Sequence, residues 1–254
     1  MKTKLSIITV ALLFALTLTS CKGKEGQSPP VLNTAANASC ILGETEDMGS
    51  GYIDSFVFFG ESTTYHLKNR GVLSGGSSTK QVLGSKNGTA MLNSETSNME
   101  VIDPKSGESV SIGEAVRRLK PKYMLLSFGL NGAVRNLKGG KELFKSNYKK
   151  LTDTILKSSP DTKIIIASCY PISKVMDTSS YSVSPKELNN CINTLNAWSL
   201  EFSEENGFRF LNVREALTDS EGFLREELQT GDGHHLTRDA YIIILKYIRT
   251  HGYK

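Results

Sequence analysis

Residues 55–67 read SFVFFGESTTYHL, and this stretch decides how the rest of the chain is interpreted. Its first part, residues 55–59, is an unbroken run rich in aromatic side chains, which is typical of a strand buried on both faces. Ser62 follows shortly after the run, behind Gly60. In open α/β sheets, ligands bind outside the carboxyl ends of the strands, so a serine placed there is a candidate for chemistry.

Similar apolar runs alternate with stretches of helical periodicity along the chain. The predicted strands are residues 55–59, 80–83, 123–127, 163–168 and 209–211. The predicted helices are residues 112–119, 142–158, 185–206 and 237–251. This alternation favours a parallel sheet covered on both faces, which is a three-layer α/β/α domain. Residues 71–113 break the rhythm and predict irregular loops or a small hairpin, because they are rich in Gly, Ser, Thr and Asn.

A second block, LSFGLNGA at residues 126–133, places Asn131 just after what we take as the third strand. In a sheet of order 2-1-3-4-5 the crevice lies between the first and third strands, so Ser62 and Asn131 would meet there. The Asn131 amide could donate to a developing oxyanion, or it could bond its own turn. Ser62 taken alone could equally be a helix N-cap.

A third block, GDGHHLT at residues 231–237, supplies a candidate base. Asp232 precedes His235 by three residues, which lets its carboxylate reach Nδ1 and leaves Nε2 free to accept a proton from Ser62. The pair of histidines beside an aspartate could instead bind a metal ion, but a third ligand at a recognisable spacing is absent from the sequence. We therefore expect neither a metal nor an organic cofactor.

The N-terminal residues predict export and lipid attachment. Two lysines precede an apolar stretch, residues 5–18, which is too short for a comfortable membrane-spanning helix and is typical of a signal peptide. Its end, LTSC, resembles a bacterial lipobox, in which the cysteine, here Cys21, is diacylated; a plain secretory signal is the alternative. We expect a signal peptide over residues 1–20, a flexible tether over 21–50 and one catalytic domain over 51–254.

Charge and cysteine content narrow the class of protein further. The chain has 30 basic and 26 acidic residues and lacks a basic cluster, which argues against nucleic-acid binding. Besides Cys21, it contains Cys40, Cys169 and Cys191. Their spacing gives no zinc signature. A disulfide between Cys169 and Cys191 and buried free thiols both remain open.

From about residue 55 onward the chain resembles the SGNH (GDSL-like) hydrolases, in particular bacterial exported and lipoprotein members with a similar Asp-Gly-x-His-Leu stretch. The resemblance implies a flavodoxin-like, five-stranded parallel sheet of order 2-1-3-4-5. It also implies Ser62 as the nucleophile, His235 as the base and Asp232 as the partner of the base. The implied oxyanion hole consists of Ser62, Gly88 and Asn131.

The chain departs from this family in three places. The second family block is poorly defined here, so Gly88 is our choice for its glycine and Gly84 is the alternative. Glu61 stands where the family usually has aspartate, and Gly132 stands where some members have a second acid. The resemblance implies that the first of these acids shapes a turn and transfers no proton, so we expect activity to survive.

These features together predict an extracytoplasmic serine esterase, at the cell surface or in the periplasm, that hydrolyses an acyl ester through an acyl-serine intermediate. The candidate substrate is an O-acetyl ester on a carbohydrate or another cell-surface or dietary molecule. One alternative is an acyltransferase that moves acetyl groups onto cell-surface glycans, and another is an inactive glycan-binding lipoprotein. Ser62, Asp232 and His235 together favour an enzyme, because a binding site needs no proton relay. No protein partner can be inferred.

Overall fold

The computed structural model describes residues 39–253. The strands are β1 (Phe56–Gly60), β2 (Val82–Leu83), β3 (Glu100–Ile102), β4 (Ser109–Ser111), β5 (Tyr123–Ser127), β6 (Lys163–Ala167) and β7 (Arg209–Leu211). The helices are α1 (Gly49–Ile53), α2 (Ser62–Asn69), α3 (Ile112–Leu119), α4 (Ala133–Gly139), α5 (Lys141–Ser158), α6 (Pro185–Glu205) and α7 (Arg238–Thr250). None of the helices in this range combines the length and the apolar character needed to cross a bilayer.

Five of the strands form a parallel sheet in the order β2-β1-β5-β6-β7. Counted along the chain, this is the predicted order 2-1-3-4-5, so the expected flavodoxin-like α/β/α fold is confirmed. The strand order reverses between β1 and β5, which pair in register from Phe56 opposite Tyr123 to Gly60 opposite Ser127. The predicted small hairpin is present as the antiparallel pair β3 and β4.

Strand β1 is buried on both faces, and its side chains alternate between two apolar layers. Val57 and Phe59 belong to the layer that α3, α4, α5 and α6 cover, whereas Phe56 and Phe58 belong to the layer under α1, α2 and α7. Burying each such side chain stabilises the fold by about 1.5–3 kcal/mol. The unbroken apolar run in the sequence is therefore explained by helices on both sides of the sheet.

Side-chain caps fix where the helices around the sheet begin. The Ser184 hydroxyl accepts a hydrogen bond from the Glu187 N–H, and the Ser184 N–H donates to the Glu187 carboxylate, which starts α6 with a capping box. Thr237 accepts from the Ala240 N–H and starts α7. The Thr237 cap fixes the end of the GDGHHLT block against the domain.

The expected flexible tether is wrong over residues 39–50. Cys40 and Leu42 are buried, and the backbone here pairs with Phe210 of β7, with Leu42 N–H to Phe210 O and Phe210 N–H to Cys40 O each at 2.9 Å. Apolar side chains in this short segment cover the sheet edge, so the domain begins earlier than the sequence indicated. The predicted signal peptide, Cys21 and the remainder of the tether lie outside the described residues.

All three cysteines of the described range, Cys40, Cys169 and Cys191, are buried free thiols. Burial is the largest cause that raises the pKa of each of them. A raised pKa keeps a thiol protonated and poorly reactive. Of the two alternatives that the sequence left open, the structure therefore shows the free thiols and no Cys169–Cys191 disulfide.

Candidate active site

Ser62, His235 and Asp232 form a continuous hydrogen-bonded chain at the carboxyl end of β1. Ser62 Oγ lies 3.1 Å from His235 Nε2, and His235 Nδ1 lies 2.6 Å from Asp232 Oδ2. The other carboxylate oxygen of Asp232 accepts the backbone N–H groups of His235, at 2.9 Å, and of His234, at 3.1 Å. Asp232 therefore orients both the ring and its loop, and Nε2 is left facing the serine.

The Asp232 carboxyl is held in its ionised form. Burial alone would raise its pKa, but the N–H groups of His235 and His234 and the His235 ring together hold the pKa well below its usual range. An ionised carboxylate favours the tautomer with a proton on Nδ1 and stabilises the imidazolium that forms when Nε2 accepts a proton.

The turn between β1 and α2 places Ser62. A side chain at Gly60 would collide with the Ser127 carbonyl of β5 and with the Thr64 hydroxyl, so glycine permits the close approach of the chains here. Ser62 is the first residue of α2, and its N–H has no partner within residues 39–253. A free N–H at the positive end of a helix is suited to a developing negative charge.

The loop that carries His235 is also fixed by close contacts. Gly233 has φ of 80°, a left-handed conformation that favours glycine, and a side chain there would collide with the backbone of Met176. The Ser173 N–H donates to Gly233 O at 2.7 Å, and the Gly233 N–H donates to Gln229 Oε1 at 3.0 Å. The segment after β6 thus holds the histidine loop at the same edge of the sheet as Ser62.

Glu61 anchors the loop that bears Asn131. Its buried carboxylate accepts the backbone N–H groups of Gly129, Leu130 and Asn131, at 3.0, 3.0 and 2.9 Å. The contact joins the end of β1 to the loop after β5, across the point where the strand order reverses. It agrees with the scaffolding role that the resemblance implied for this acid.

Glu61 should make the stability of the protein depend on pH. Burial raises its pKa from 4.5 to about 7, against the opposing effect of the three N–H groups. Between these two values the folded state binds more protons than the unfolded state, so the contribution of this group to stability falls as pH rises. In denaturant titrations, the stability of wild type relative to Glu61→Gln should decline from about pH 4.5 to about pH 8, by a few kcal/mol at most. A wild-type advantage that grows over this range would contradict the assignment.

The structure brings Asn131 to the segment that contains Gly88, but the N–H groups of both have acceptors within the protein. Asn131 Nδ2 donates to Thr89 Oγ1 at 3.1 Å and to Ala90 O at 3.2 Å. The Gly88 N–H donates to Ser85 O at 2.9 Å. An oxyanion would have to compete with these acceptors. Asn131 and Gly88 therefore stay predicted donors, and the Ser62 N–H is the one of the three that is unengaged within the described chain.

Glycines 84, 88 and 132 have local reasons to be glycine. Side chains at Gly84 or Gly88 would collide with the ring of Tyr65, which lies one turn of α2 beyond Ser62. Gly132 has φ of 77° at the start of α4, in the left-handed region. The second acid that some relatives carry at this position is thus replaced by a residue that the local backbone favours.

His66 was not singled out from the sequence, yet it packs against the candidate base. The centroid of the His66 ring lies 4.7 Å from that of the His235 ring, and the centroid of the His234 ring lies 3.9 Å from that of the His235 ring. Burial, followed by the charge of His235, lowers the pKa of both His66 and His234. These two rings therefore tend to be neutral and add little positive charge beside the base. His66 lies four residues after Ser62, on the same helix face, and that spacing could have identified it.

Asp232, His234 and His235 also have a geometry that could hold a metal ion, since their ligand atoms lie within 4.8 Å of one another. Asp232 and His235 are already hydrogen-bonded to each other, and His235 Nε2 lies 3.1 Å from Ser62 Oγ. The same imidazole atoms cannot serve a metal and a proton relay at once. The serine beside Nε2 makes the relay the better fit to this donor set.

Residues 58–242, which make up most of the chain, match the sequence profile of the GDSL-like Lipase/Acylhydrolase family. The chain belongs to this family. Two solved structures are similar to this member of the GDSL-like lipase/acylhydrolase family. One is a protein assigned as an acylhydrolase from Bacteroides fragilis, with 16% identity over 76% of this chain and 83% of that chain and a TM-score of 0.51. The other is a protein of the G-D-S-L lipolytic family from Desulfitobacterium hafniense, with 15% identity over 76% and 95% and a TM-score of 0.50.

At these identities the two structures establish a shared fold, which agrees with the sheet order described above. No curated protein matches the sequence significantly. The family expected from the sequence is confirmed by the profile match. Membership in the GDSL-like lipase/acylhydrolase family supports a hydrolase of the esterase type.

Proposed function

We propose that the protein is a serine esterase in which Ser62 is the nucleophile, His235 the base and Asp232 the group that orients the base. The observation that carries this proposal is the unbroken relay from Ser62 Oγ through the imidazole to the Asp232 carboxylate, with contacts of 3.1 and 2.6 Å. Nucleophile, base and orienting acid in hydrogen-bond reach are the signature of an activated serine.

In the proposed reaction, Ser62 Oγ attacks the ester carbonyl while His235 Nε2 takes the hydroxyl proton. The Ser62 N–H stabilises the oxyanion together with Asn131 and Gly88, once their N–H groups turn from their present acceptors. His235 then gives the proton to the leaving alcohol, which leaves the acyl group on Ser62. Water attacks this acyl-serine with His235 again as base, and the acid product leaves.

The proposed substrate is an O-acetyl or other acyl ester on a carbohydrate or related surface molecule. An acyltransferase would use the same relay and differ only in the acceptor that attacks the acyl-serine. An inactive glycan-binding lipoprotein is disfavoured, because it would have no need for the aligned histidine and aspartate. No bound cofactor enters the proposed steps.

A panel of esters tests the proposed activity. Purified protein should release acetate from acetylated sugars and p-nitrophenol from p-nitrophenyl acetate, and the rate should change as the acyl chain of the p-nitrophenyl ester is lengthened. Acetyl transfer to an added sugar in preference to water would favour the acyltransferase. If none of these esters is cleaved and no acetyl transfer occurs, the proposed function is wrong.

We also propose that the protein is exported and anchored by lipid at Cys21, which is supported by the sequence LTSC at residues 18–21. A single acyl chain binds membranes only marginally, whereas two or more give stable attachment. Protein extracted from membranes should therefore carry a diacylglyceryl mass on Cys21, and Cys21→Ala should lose both the adduct and membrane retention. A wild-type protein with an unmodified Cys21 would contradict the anchoring proposal.

A further inference from the structure

A cavity with a mixed polar and apolar lining lies between α6 and the turn at residues 221–223. Its volume is about 350 Å³. The α6 side is lined by Lys186, Asn189, Asn190 and Asn193, and the turn contributes Glu221 and Phe223. This cavity contains none of the residues that form the proton relay, and the reaction described above makes no use of it.

The side chains of the cavity offer both donors and acceptors around one aromatic ring. The side chains of Lys186, Asn190 and Asn193 make no hydrogen bond or ion pair inside residues 39–253. Asparagine amides both donate and accept, as sugar hydroxyls do, and an aromatic ring offers an apolar surface to the C–H groups of a sugar. This mixed lining suits a sugar ring, which presents both hydroxyls and apolar C–H groups.

The cavity lining keeps one unpaired charge. Glu221 is paired with Lys174, whose Nζ lies 5.5 Å from the centroid of the Phe223 ring. The pairing offsets these two charges and leaves Lys186 as the single unpaired charge in the lining. The Nζ of Lys186 is therefore free to donate a hydrogen bond to a ligand oxygen, such as a sugar hydroxyl.

A short chain of contacts connects this cavity with the catalytic loop. The side chain of Asn189 is buried and bonds the backbone of Ile172: its Oδ1 accepts from the Ile172 N–H at 3.1 Å, and its Nδ2 donates to Ile172 O at 3.0 Å. The Leu224 N–H also donates to Ile172 O. The next residue, Ser173, donates to Gly233 O, two residues before His235. Along this path the cavity lies within about 20 Å of the base.

We propose that this cavity binds a sugar ring of the same carbohydrate chain whose ester is cleaved at Ser62. The proposal rests on the proposed esterase function and specifies its substrate as an oligosaccharide or polysaccharide that extends past the ester. Phe223 packs against the sugar ring, and Asn190, Asn193 and Lys186 bond its hydroxyls. The cavity thus selects the carbohydrate, and the relay acts on the ester.

Binding is tested first without catalysis, in Ser62→Ala protein, by calorimetric titration with the unacetylated tetramers of xylose, mannose and N-acetylglucosamine. At least one tetramer should bind, and adding Asn190→Ala with Asn193→Ala should weaken binding by about tenfold, as expected for the loss of two or more hydrogen bonds. Alanine is favoured in helices, so this variant should fold. Asn69→Ala, at an exposed asparagine that ends α2, is the matched control and should bind as before.

Catalysis gives the second readout. The measured quantity is a ratio: kcat/KM on the acetylated tetramer divided by kcat/KM on p-nitrophenyl acetate. This ratio should fall about tenfold in the Asn190→Ala/Asn193→Ala protein and in Phe223→Ala. The Asn69→Ala control should keep the wild-type ratio. If all three tetramers fail to bind, or if binding and the ratio are the same in the double variant and wild type, the sugar site is wrong. Ester cleavage with an unchanged ratio would overturn the sugar site and leave the esterase proposal in place. Sugar binding without any ester cleavage would overturn the esterase proposal and leave the sugar site in place.

Discussion

Ser62→Ala and His235→Ala should each lower kcat for ester hydrolysis by at least about 10⁴-fold. The two side chains act as one unit, because the proton that leaves Ser62 Oγ passes to the imidazole 3.1 Å away. Removing the second member after the first should therefore cost little more, and the double variant should match the single variants. Steady-state kinetics on p-nitrophenyl acetate measure kcat for the two single variants and the double variant. Asp232→Ala should be milder, since Asp232 orients the ring and stabilises its charged form.

His234→Gln is the matched control for the assignment of the base. His234 is adjacent to His235 and its ring packs against the His235 ring, but Ser62 Oγ is hydrogen-bonded to His235. We expect His234→Gln to retain most of the wild-type kcat. A protein that tolerates His235→Ala but is inactivated by His234→Gln would show that the wrong histidine has been assigned.

Asn131→Ala should lower kcat by about 10²–10³-fold and leave KM little changed. In the resting structure its amide donates to Thr89 Oγ1 and Ala90 O, so a hydrogen bond to the substrate forms only when the oxyanion offers a stronger acceptor. An interaction made mainly in the transition state affects kcat and not ground-state binding. The kinetic constants on one ester, measured for wild type and Asn131→Ala, test this split.

Thermal unfolding separates this effect from simple misfolding. Asn131→Ala keeps the backbone N–H that donates to Glu61 at 2.9 Å, so the loop should stay in place. The loss of the two side-chain hydrogen bonds to Thr89 and Ala90 should lower the Tm by only a few degrees, and the variant should still unfold cooperatively. A rise in KM with unchanged kcat would assign Asn131 to substrate binding. An unchanged kcat and KM would remove it from the oxyanion hole.

The sheet could be predicted from the sequence because its three long strands are buried on both faces. In β1, β5 and β6 nearly every side chain is apolar and covered, which leaves an unbroken run that does not depend on knowing the partners. The convergence of Ser62 and Asn131 followed from the order of those strands, and the approach of Asp232 to His235 followed from a spacing of three residues. Local patterns suffice where one element determines the position of a side chain.

The parts that sequence reasoning missed depend on contacts between distant segments. Residues 39–50 have a polar, loop-like composition, yet Cys40 and Leu42 are buried because β7 offers an open sheet edge. The partners of Glu61 lie about seventy residues further along the chain, so its anchoring role cannot be read from the turn alone. Likewise, the occupied amide of Asn131 reflects where the irregular segment with Thr89 folds.

The most direct test of the central claim is covalent labelling with a fluorophosphonate, followed by intact-mass measurement and peptide mapping. Such a probe reports an activated serine and therefore the assembled relay, without requiring the natural substrate. The account predicts one adduct per folded wild-type molecule, located on Ser62, with no adduct after heat denaturation or in Ser62→Ala and a greatly slowed reaction in His235→Ala. An unlabelled folded protein, or equal labelling of wild type and Ser62→Ala, would contradict it.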